Sequence, residues 1–148
     1  MGGLQMRSLF SALRVALVAT VLAATPALAQ DFKVVVNSAN STTELTADAA
    51  SKLFLKQSAK FPNGTPAQPV DLSKSSPVRA SFSKAVHGRP VSAVESYWQQ
   101  QIFSGKDVPP AAKSSDDEVI AFVKATPGGI GYVSAGAATA GVKVVEVK

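Results

Sequence analysis

A short serine-rich segment is the best candidate in this chain for binding an anion. Ser73, Lys74, Ser75 and Ser76 stand between a predicted strand and Pro77, a residue typical of the first position of a helix. Free backbone N–H groups at a helix start, with hydroxyls and an ammonium group beside them, can hold a phosphate or a carboxylate. The same serines would also serve as ordinary helix N-caps. We predict a ligand-binding anion site at Lys74, Ser75 and Ser76, with simple capping as the alternative.

The other residues with chemical potential do not form a catalytic or metal pattern. His87 is the only histidine, and no nucleophile or acid stands near it in the sequence, so we interpret it as a helix-end histidine. The acidic run 116–118 lacks the further oxygen ligands of a calcium loop and favours a helix N-terminus. Gly128, Gly129 and Gly131 follow a helix and precede a strand, the reverse of a dinucleotide fingerprint. We predict no enzyme, no metal and no cofactor.

Composition narrows the class of protein further. The chain has 148 residues, of which 46% are hydrophobic and 17% charged, as expected for a globular domain. It contains no cysteine, which excludes disulfides, zinc–thiolate sites and thiol nucleophiles. The formal charge of +5 raises the possibility of nucleic-acid binding, but the basic residues are interspersed with acidic ones. We therefore predict no nucleic-acid partner.

The first 29 residues have the pattern of a secretory signal peptide. Arg7 and Arg14 precede the apolar run 15–24, which is too short to span a bilayer, and Ala27-Leu28-Ala29 matches a cleavage site. We predict cleavage after Ala29, with an uncleaved N-terminal anchor as the alternative. The remaining 119 residues carry 13 basic and 10 acidic side chains. The expected product is a single domain, 30–148, in the bacterial periplasm, without membrane insertion.

Alternating strand and helix patterns predict an α/β fold with a mainly parallel or mixed sheet flanked by helices. Strands are predicted at Lys33–Asn37, interpreted as a buried parallel-type strand, and at Pro69–Leu72, Ile130–Val133 and Val142–Val147. Helices are predicted to begin at Thr46, Ser76, Ser92 and Ser115. Ser92 with Glu95, and Ser115 with Glu118, have the spacing of capping boxes.

Three segments resemble the phosphate ABC-transporter substrate-binding proteins. The first segment is Leu53-Phe54 followed by 60–64, which is similar to the "IF-x-G…W-x-x-G" segment of these proteins. The second is Tyr97-Trp98 with 103–106, which is similar to the "YW…FSGK" segment of their short relatives. The third and most specific is 116–133, which is similar to a helix–strand segment ending in "PGAIGYV". The resemblance covers nearly the whole mature chain. It implies one lobe of a type II periplasmic-binding-protein-like fold, in which full members clamp a ligand between two lobes.

The resemblance also implies a degenerate phosphate loop. The family's loop reads about R-x-D-x-S-G-T, and alignment on Phe82 puts Ser76 at its serine position. The family's other four residues are then replaced by Leu72 (for Arg), Lys74 (for Asp), Pro77 (for Gly) and Val78 (for Thr). Loss of the arginine matters most, because a bidentate guanidinium is the strong, planar part of phosphate recognition.

Two functions follow from the sequence. The first is a periplasmic phosphate- or anion-binding protein of the transporter type, in which dimerisation would replace the missing lobe. The second is an interaction or regulatory module that keeps the fold without binding solute and docks on an envelope protein partner. Phosphate or another small oxyanion, an envelope protein and a second copy of the chain are thus the predicted partners.

Overall fold

A computed structural model describes residues 31–148, which form a six-stranded mixed sheet flanked by helices. The strands are β1 Phe32–Asn37, β2 Glu44–Leu45, β3 Gln68–Leu72, β4 Ala111–Lys113, β5 Gly129–Ser134 and β6 Val142–Val147. Their order across the sheet is β2-β6-β1-β5-β3-β4. This confirms the predicted fold class. The predicted signal peptide, 1–29, lies outside the described residues, so its cleavage and the domain boundary at Gln30 stay predictions.

Helices cover both faces of this sheet. They are α1 Ala47–Phe54, α2 Pro77–Phe82, α3 Val91–Phe103 and α4 Asp116–Ala125. The last turn of α2 widens into a π-helical turn, Ser83–His87, which ends at Gly88 in the left-handed conformation with φ of 64°. A glycine tolerates that backbone conformation at little cost, which allows the helix to end there.

The direction of β1 differs from the prediction. β1 pairs antiparallel with β5 on one side and with β6 on the other, whereas β3 is parallel to both β5 and β4. The interpretation of β1 as a parallel-type strand is therefore wrong. Every β1 residue except Lys33 is buried. A continuous apolar run indicates that a strand is buried on both faces of a sheet, but it does not indicate whether the strand is parallel or antiparallel to its neighbours.

The helix starts are mostly as predicted. Side-chain oxygens of Thr46, Ser76 and Ser115 each accept a hydrogen bond from the backbone N–H three residues later. The predicted capping box at Ser92 is wrong, because α3 begins at Val91 with Pro90 as its N-cap. The ring of Pro90 holds its φ at −69° in an extended conformation, and the chain enters the helix two residues earlier than predicted.

One face of the sheet carries an aromatic cluster under α1 and α2. The ring of Phe82 stacks on Tyr132 of β5, with centroids 3.8 Å apart and an interplanar angle of 5°. Its edges meet Phe32 of β1 and Phe54 of α1 at centroid distances of 5.3 and 4.7 Å. Phe82 is thus the residue through which α2 is anchored to the sheet.

Helix α3 stands apart from this main core. Its buried residues, Val94 and Trp98, form a small separate cluster with Leu55, against which Tyr97 packs. The end of α3 is exposed: Ile102 is 53% and Phe103 97% accessible to solvent. The helix is therefore held mainly by one small cluster near its middle.

The opposite face of the sheet packs against α4, and Gly131 of β5 is the point of closest approach. A Cβ atom added at Gly131 would lie 2.6 Å from Val119 Cγ1 and 2.9 Å from Val70 Cγ1.

We predict that Gly131→Ala lowers the free energy of unfolding by about 1–3 kcal/mol, because the extra methyl overpacks a filled core. Urea unfolding measures the loss. Gly136→Ala is the matched control, since no atom lies within 4 Å of its added Cβ. Equal effects at Gly131 and Gly136 would contradict the packing argument.

Candidate functional site

The predicted anion-binding segment lies where three parallel strands end. Because β3, β4 and β5 run parallel, their carboxyl ends share one edge of the sheet. Ligands of open α/β sheets bind outside such an edge. The loop leaving β3 begins with Ser73, whose N–H donates to the carbonyl of Lys113 at the end of β4, 2.9 Å away. The loop is thus fixed to the neighbouring strand before it turns into α2.

A tight turn brings the predicted site residues together. Ser76 N–H donates to the Ser73 carbonyl over 2.9 Å, and the Ser73 and Ser75 hydroxyls lie 3.2 Å apart. Lys74 and Ser75 are exposed at the tip of the turn. Ser76 Oγ accepts the N–H of Arg79 at 3.4 Å, which is the N-cap contact. The turn therefore presents the Lys74 ammonium group and the Ser75 hydroxyl to solvent, while Ser76 caps α2.

Arg79 is the residue that the sequence analysis missed. It stands at the third position of α2, and its guanidinium reaches back so that Nη1 donates to the carbonyl of Leu72, 3.1 Å away. Its side chain is only 11% exposed. Helical side chains point toward the N-terminus, so an arginine three residues after a predicted cap was a usable signal. The position of the family's arginine, occupied here by Leu72, thus lies directly beside a guanidinium from α2.

A buried carboxylate holds this guanidinium in place. Asp71 is 8% exposed, and its Oδ1 lies 3.6 Å from Arg79 Nε. The same oxygen accepts the backbone N–H of Leu72 at 3.0 Å and the hydroxyl of Tyr132. Burial raises the pKa of Asp71, although Arg79, Tyr132 and the Leu72 N–H oppose this by stabilising the charged form. Burial, followed by the charge of Asp71, raises the pKa of Tyr132, so its hydroxyl stays protonated as a donor.

Two hollows open on either side of Lys74. The first, of about 310 Å³, lies between the β3–α2 loop and α3, and Asp71 and Arg79 are at its base. The second, of about 590 Å³, is lined by Lys84 and Arg89 together with small and apolar residues. The first hollow is the one that combines a buried arginine with the predicted loop, and we refer to it as the Arg79 cavity.

His87 has a partner that the sequence did not reveal. Its Nδ1 lies 2.7 Å from the Ser51 hydroxyl of α1. Burial, followed by the positive charges of Arg89 and Arg79, lowers the pKa of His87 to about 4. A general base works best with a pKa near the operating pH, and no carboxylate of residues 31–148 hydrogen-bonds to this imidazole. The contact joins α1 to the end of α2 as a structural tether.

The depressed pKa of His87 predicts a pH-dependent stability. Unfolded His87 binds its proton near pH 6.5, whereas the folded state does so only near pH 4. The unfolded state holds more protons between these values, so stability present above pH 6.5 is lost as the pH falls toward 4. The loss is at most about 3 kcal/mol, from ~1.4 kcal/mol per unit. Urea unfolding from pH 7 to 4.5 should show a steeper decline for the native chain than for His87→Gln. Parallel curves of stability against pH for the native chain and His87→Gln would contradict a depressed pKa of His87.

The acidic run at 116–118 has a structural role. Asp116 accepts the backbone N–H of Ser134 at 3.1 Å as well as its hydroxyl, which joins α4 to the end of β5. Glu118 accepts the N–H and hydroxyl of Ser114, and these hydrogen bonds lower the pKa of the carboxyl. Within residues 31–148 no group of three or more His, Asp or Glu side chains is arranged to hold a metal ion. None of the helices that the structure describes is long and apolar enough to cross a membrane.

Several solved structures share this architecture, and some of them are named for phosphate transport or phosphate binding. One is an ABC-type phosphate transport receptor from Vibrio cholerae, with a TM-score of 0.62 and 18% identity over 79% of this chain. The fold is that of the phosphate ABC-transporter substrate-binding proteins. A second, from Clostridium perfringens, was solved with bound phosphate (TM-score 0.60, 15% identity, 79% of this chain). A third is PstS from Borrelia burgdorferi (TM-score 0.62, 16% identity, 80% of this chain).

The match covers only part of each substrate-binding protein. The aligned segment spans 46%, 44% and 47% of the Vibrio, Clostridium and Borrelia chains respectively. This chain is thus a half-length structural relative of the substrate-binding proteins, as the sequence resemblance predicts. No protein-family model matches the chain, and no curated protein gives a significant match.

Proposed function

We propose that this chain is a non-enzymatic, substrate-binding-like protein of the ABC-transporter type that binds phosphate or another small oxyanion. The ligand is held by the turn carrying Lys74, Ser75 and Ser76. The protein acts in the periplasm, after secretion and removal of residues 1–29. The fold supports this, because the similar solved structures are named as phosphate receptors and one holds phosphate.

The observation that carries the proposal is the position of Arg79. Its guanidinium lies 3.1 Å from the Leu72 carbonyl, beside the loop position where the resemblance implies an arginine. A planar guanidinium with five N–H donors is suited to an oxyanion, and Lys74 adds a mobile ammonium group. Arg79 could therefore supply the guanidinium donor that is absent from position 72, where the resemblance implies an arginine and this sequence has Leu72. This favours solute binding over an interaction module without solute; an envelope partner and self-association stay predictions from the sequence.

Thermal unfolding in the presence of anions tests the proposal. A ligand that binds only the folded state stabilises it by RT ln(1 + [L]/Kd), about 2.7 kcal/mol at a hundredfold excess over Kd. We expect millimolar phosphate to raise the unfolding temperature of the native chain. Lys74→Gln and Arg79→Lys should reduce that shift, and Lys60→Gln, an exposed lysine away from the turn, should not. No shift with either phosphate or sulfate would overturn oxyanion binding by the single chain.

A further inference from the structure

The Arg79 cavity is lined by charged residues of the β3–α2 segment on one side and by a mixture of polar and apolar residues on the other. Arg79 and Lys74 belong to the loop side, whereas the opposite walls come from α3 and from the segment before β4. The apolar lining consists of Trp98, Ile102, Pro109 and Pro110. Ligand pockets are mostly apolar with a few polar groups that fix orientation, and the cavity has this character.

Charge is distributed unevenly along the cavity. Asp71 accepts hydrogen bonds from the Tyr132 hydroxyl and the Leu72 N–H. Its ion pair with Arg79 offsets part of the positive charge of the guanidinium. Lys74 forms no ion pair within residues 31–148, so the loop end carries net positive charge. Glu95 of α3 lines the cavity from the other side. An anionic group is therefore attracted to the loop end and repelled from the helix wall.

The size of the cavity exceeds what an inorganic oxyanion needs. Its volume of about 310 Å³ corresponds to roughly ten water molecules at ~30 Å³ each. Phosphate oxygens bonded to Arg79 and Lys74 would leave Ile102 and Pro109, which are both exposed, facing water. Covering those residues with an apolar group stabilises the complex in proportion to the apolar area buried.

We propose that the Arg79 cavity takes an organic oxyanion, with its anionic head on Arg79 and Lys74 and an apolar body against Ile102 and Pro109. This proposal rests on the proposed function, since it assigns the ligand class of the same site. Ile102 becomes a specificity-determining residue, because it is 53% exposed in the free protein and is covered by the apolar body.

Calorimetric titration with two probes tests the ligand class. The probes are inorganic phosphate and phenyl phosphate, at a fixed pH and ionic strength. We expect phenyl phosphate to bind at least about tenfold more tightly, the effect of burying part of a phenyl ring. Ile102→Ser should remove most of this preference, and Arg79→Lys should weaken both ligands. Phe103→Ser is the matched control: its side chain is 97% exposed and lines a different hollow, so both affinities should be unchanged.

The outcomes separate this proposal from the proposed function. Equal affinities for both probes, or a preference untouched by Ile102→Ser, would overturn the organic ligand and leave oxyanion binding intact. Binding of phenyl phosphate alone would support the organic ligand and overturn inorganic phosphate as the solute. If neither probe binds, the organic phosphate and inorganic phosphate are both overturned as ligands, and the thermal unfolding test with sulfate decides whether any oxyanion binds.

Discussion

Replacing Phe82 with alanine should lower the free energy of unfolding by about 3–5 kcal/mol, the range for a buried phenylalanine. The side chain is 1% exposed and contacts rings from α1, β1 and β5. The cavity left behind cannot collapse easily, because those rings belong to three separate elements. Urea or thermal unfolding measures the loss. Since Phe82 anchors α2, anion-dependent stabilisation should weaken as well.

Phe103→Ala is the matched control for this prediction. It removes the same group from a position that is 97% exposed, so stability should change by less than about 0.5 kcal/mol. Comparable losses at Phe82 and Phe103 would mean that the aromatic cluster does not carry the stability assigned to it. Phe82→Leu refills part of the cavity and should lie between the native chain and Phe82→Ala.

Replacing Arg79 with methionine should cost about 3 kcal/mol of stability near pH 7, the lower part of the range for breaking a buried pair. Asp71 then keeps only the Tyr132 hydroxyl and the Leu72 N–H to stabilise its charge. The pKa of Asp71 should rise further above its ordinary value of 3.8. Folded Asp71 then holds its proton to higher pH than unfolded Asp71. The loss should therefore grow as the pH rises above the already raised pKa of Asp71 in the native protein, which urea unfolding at several pH values measures.

A double variant isolates the charge of Asp71 from the packing of Arg79. Asp71→Asn combined with Arg79→Met leaves no buried carboxylate, and the asparagine carbonyl still accepts from Tyr132. The double variant should be more stable than Arg79→Met alone at pH 7, with a flatter pH dependence. Arg89→Met, an exposed arginine, should change stability little. A double variant as unstable as Arg79→Met would show that the aliphatic stem of Arg79, and not its charge, matters.

The sequence predicts the elements well where local chemistry decides them. Thr46, Ser76 and Ser115 cap helices as their side chains allow, and Gly88 ends one. The direction of β1 is not local: it depends on β5 and β6, about a hundred residues away along the chain, as their pairing with β1 shows. A buried apolar run has the same composition in either direction.

The candidate site also contains some features that depend on local sequence and others that depend on distant parts of the chain. The cap at Ser76 was predictable because a serine before Pro77 leaves a sequence signature, whereas anion binding at Lys74, Ser75 and Ser76 stays a prediction. Arg79 and Tyr132 were missed because their roles come from Asp71, which the sequence shows only as one polar residue in a short strand. His87 and Ser51 meet only when α1 and α2 pack on the same face of the sheet.

Helix α3 is held by Leu55, Val94 and Trp98, apart from the core that unites the sheet with the other helices. Elements with few buried contacts open locally at a free energy below that of global unfolding. Amide hydrogens of α3 should therefore exchange with solvent well before those of β1 and β5. Because α3 supplies one wall of the Arg79 cavity, such opening would give a ligand access while the sheet and the Asp71 network stay closed. Ligand binding should in turn slow exchange in α3 selectively.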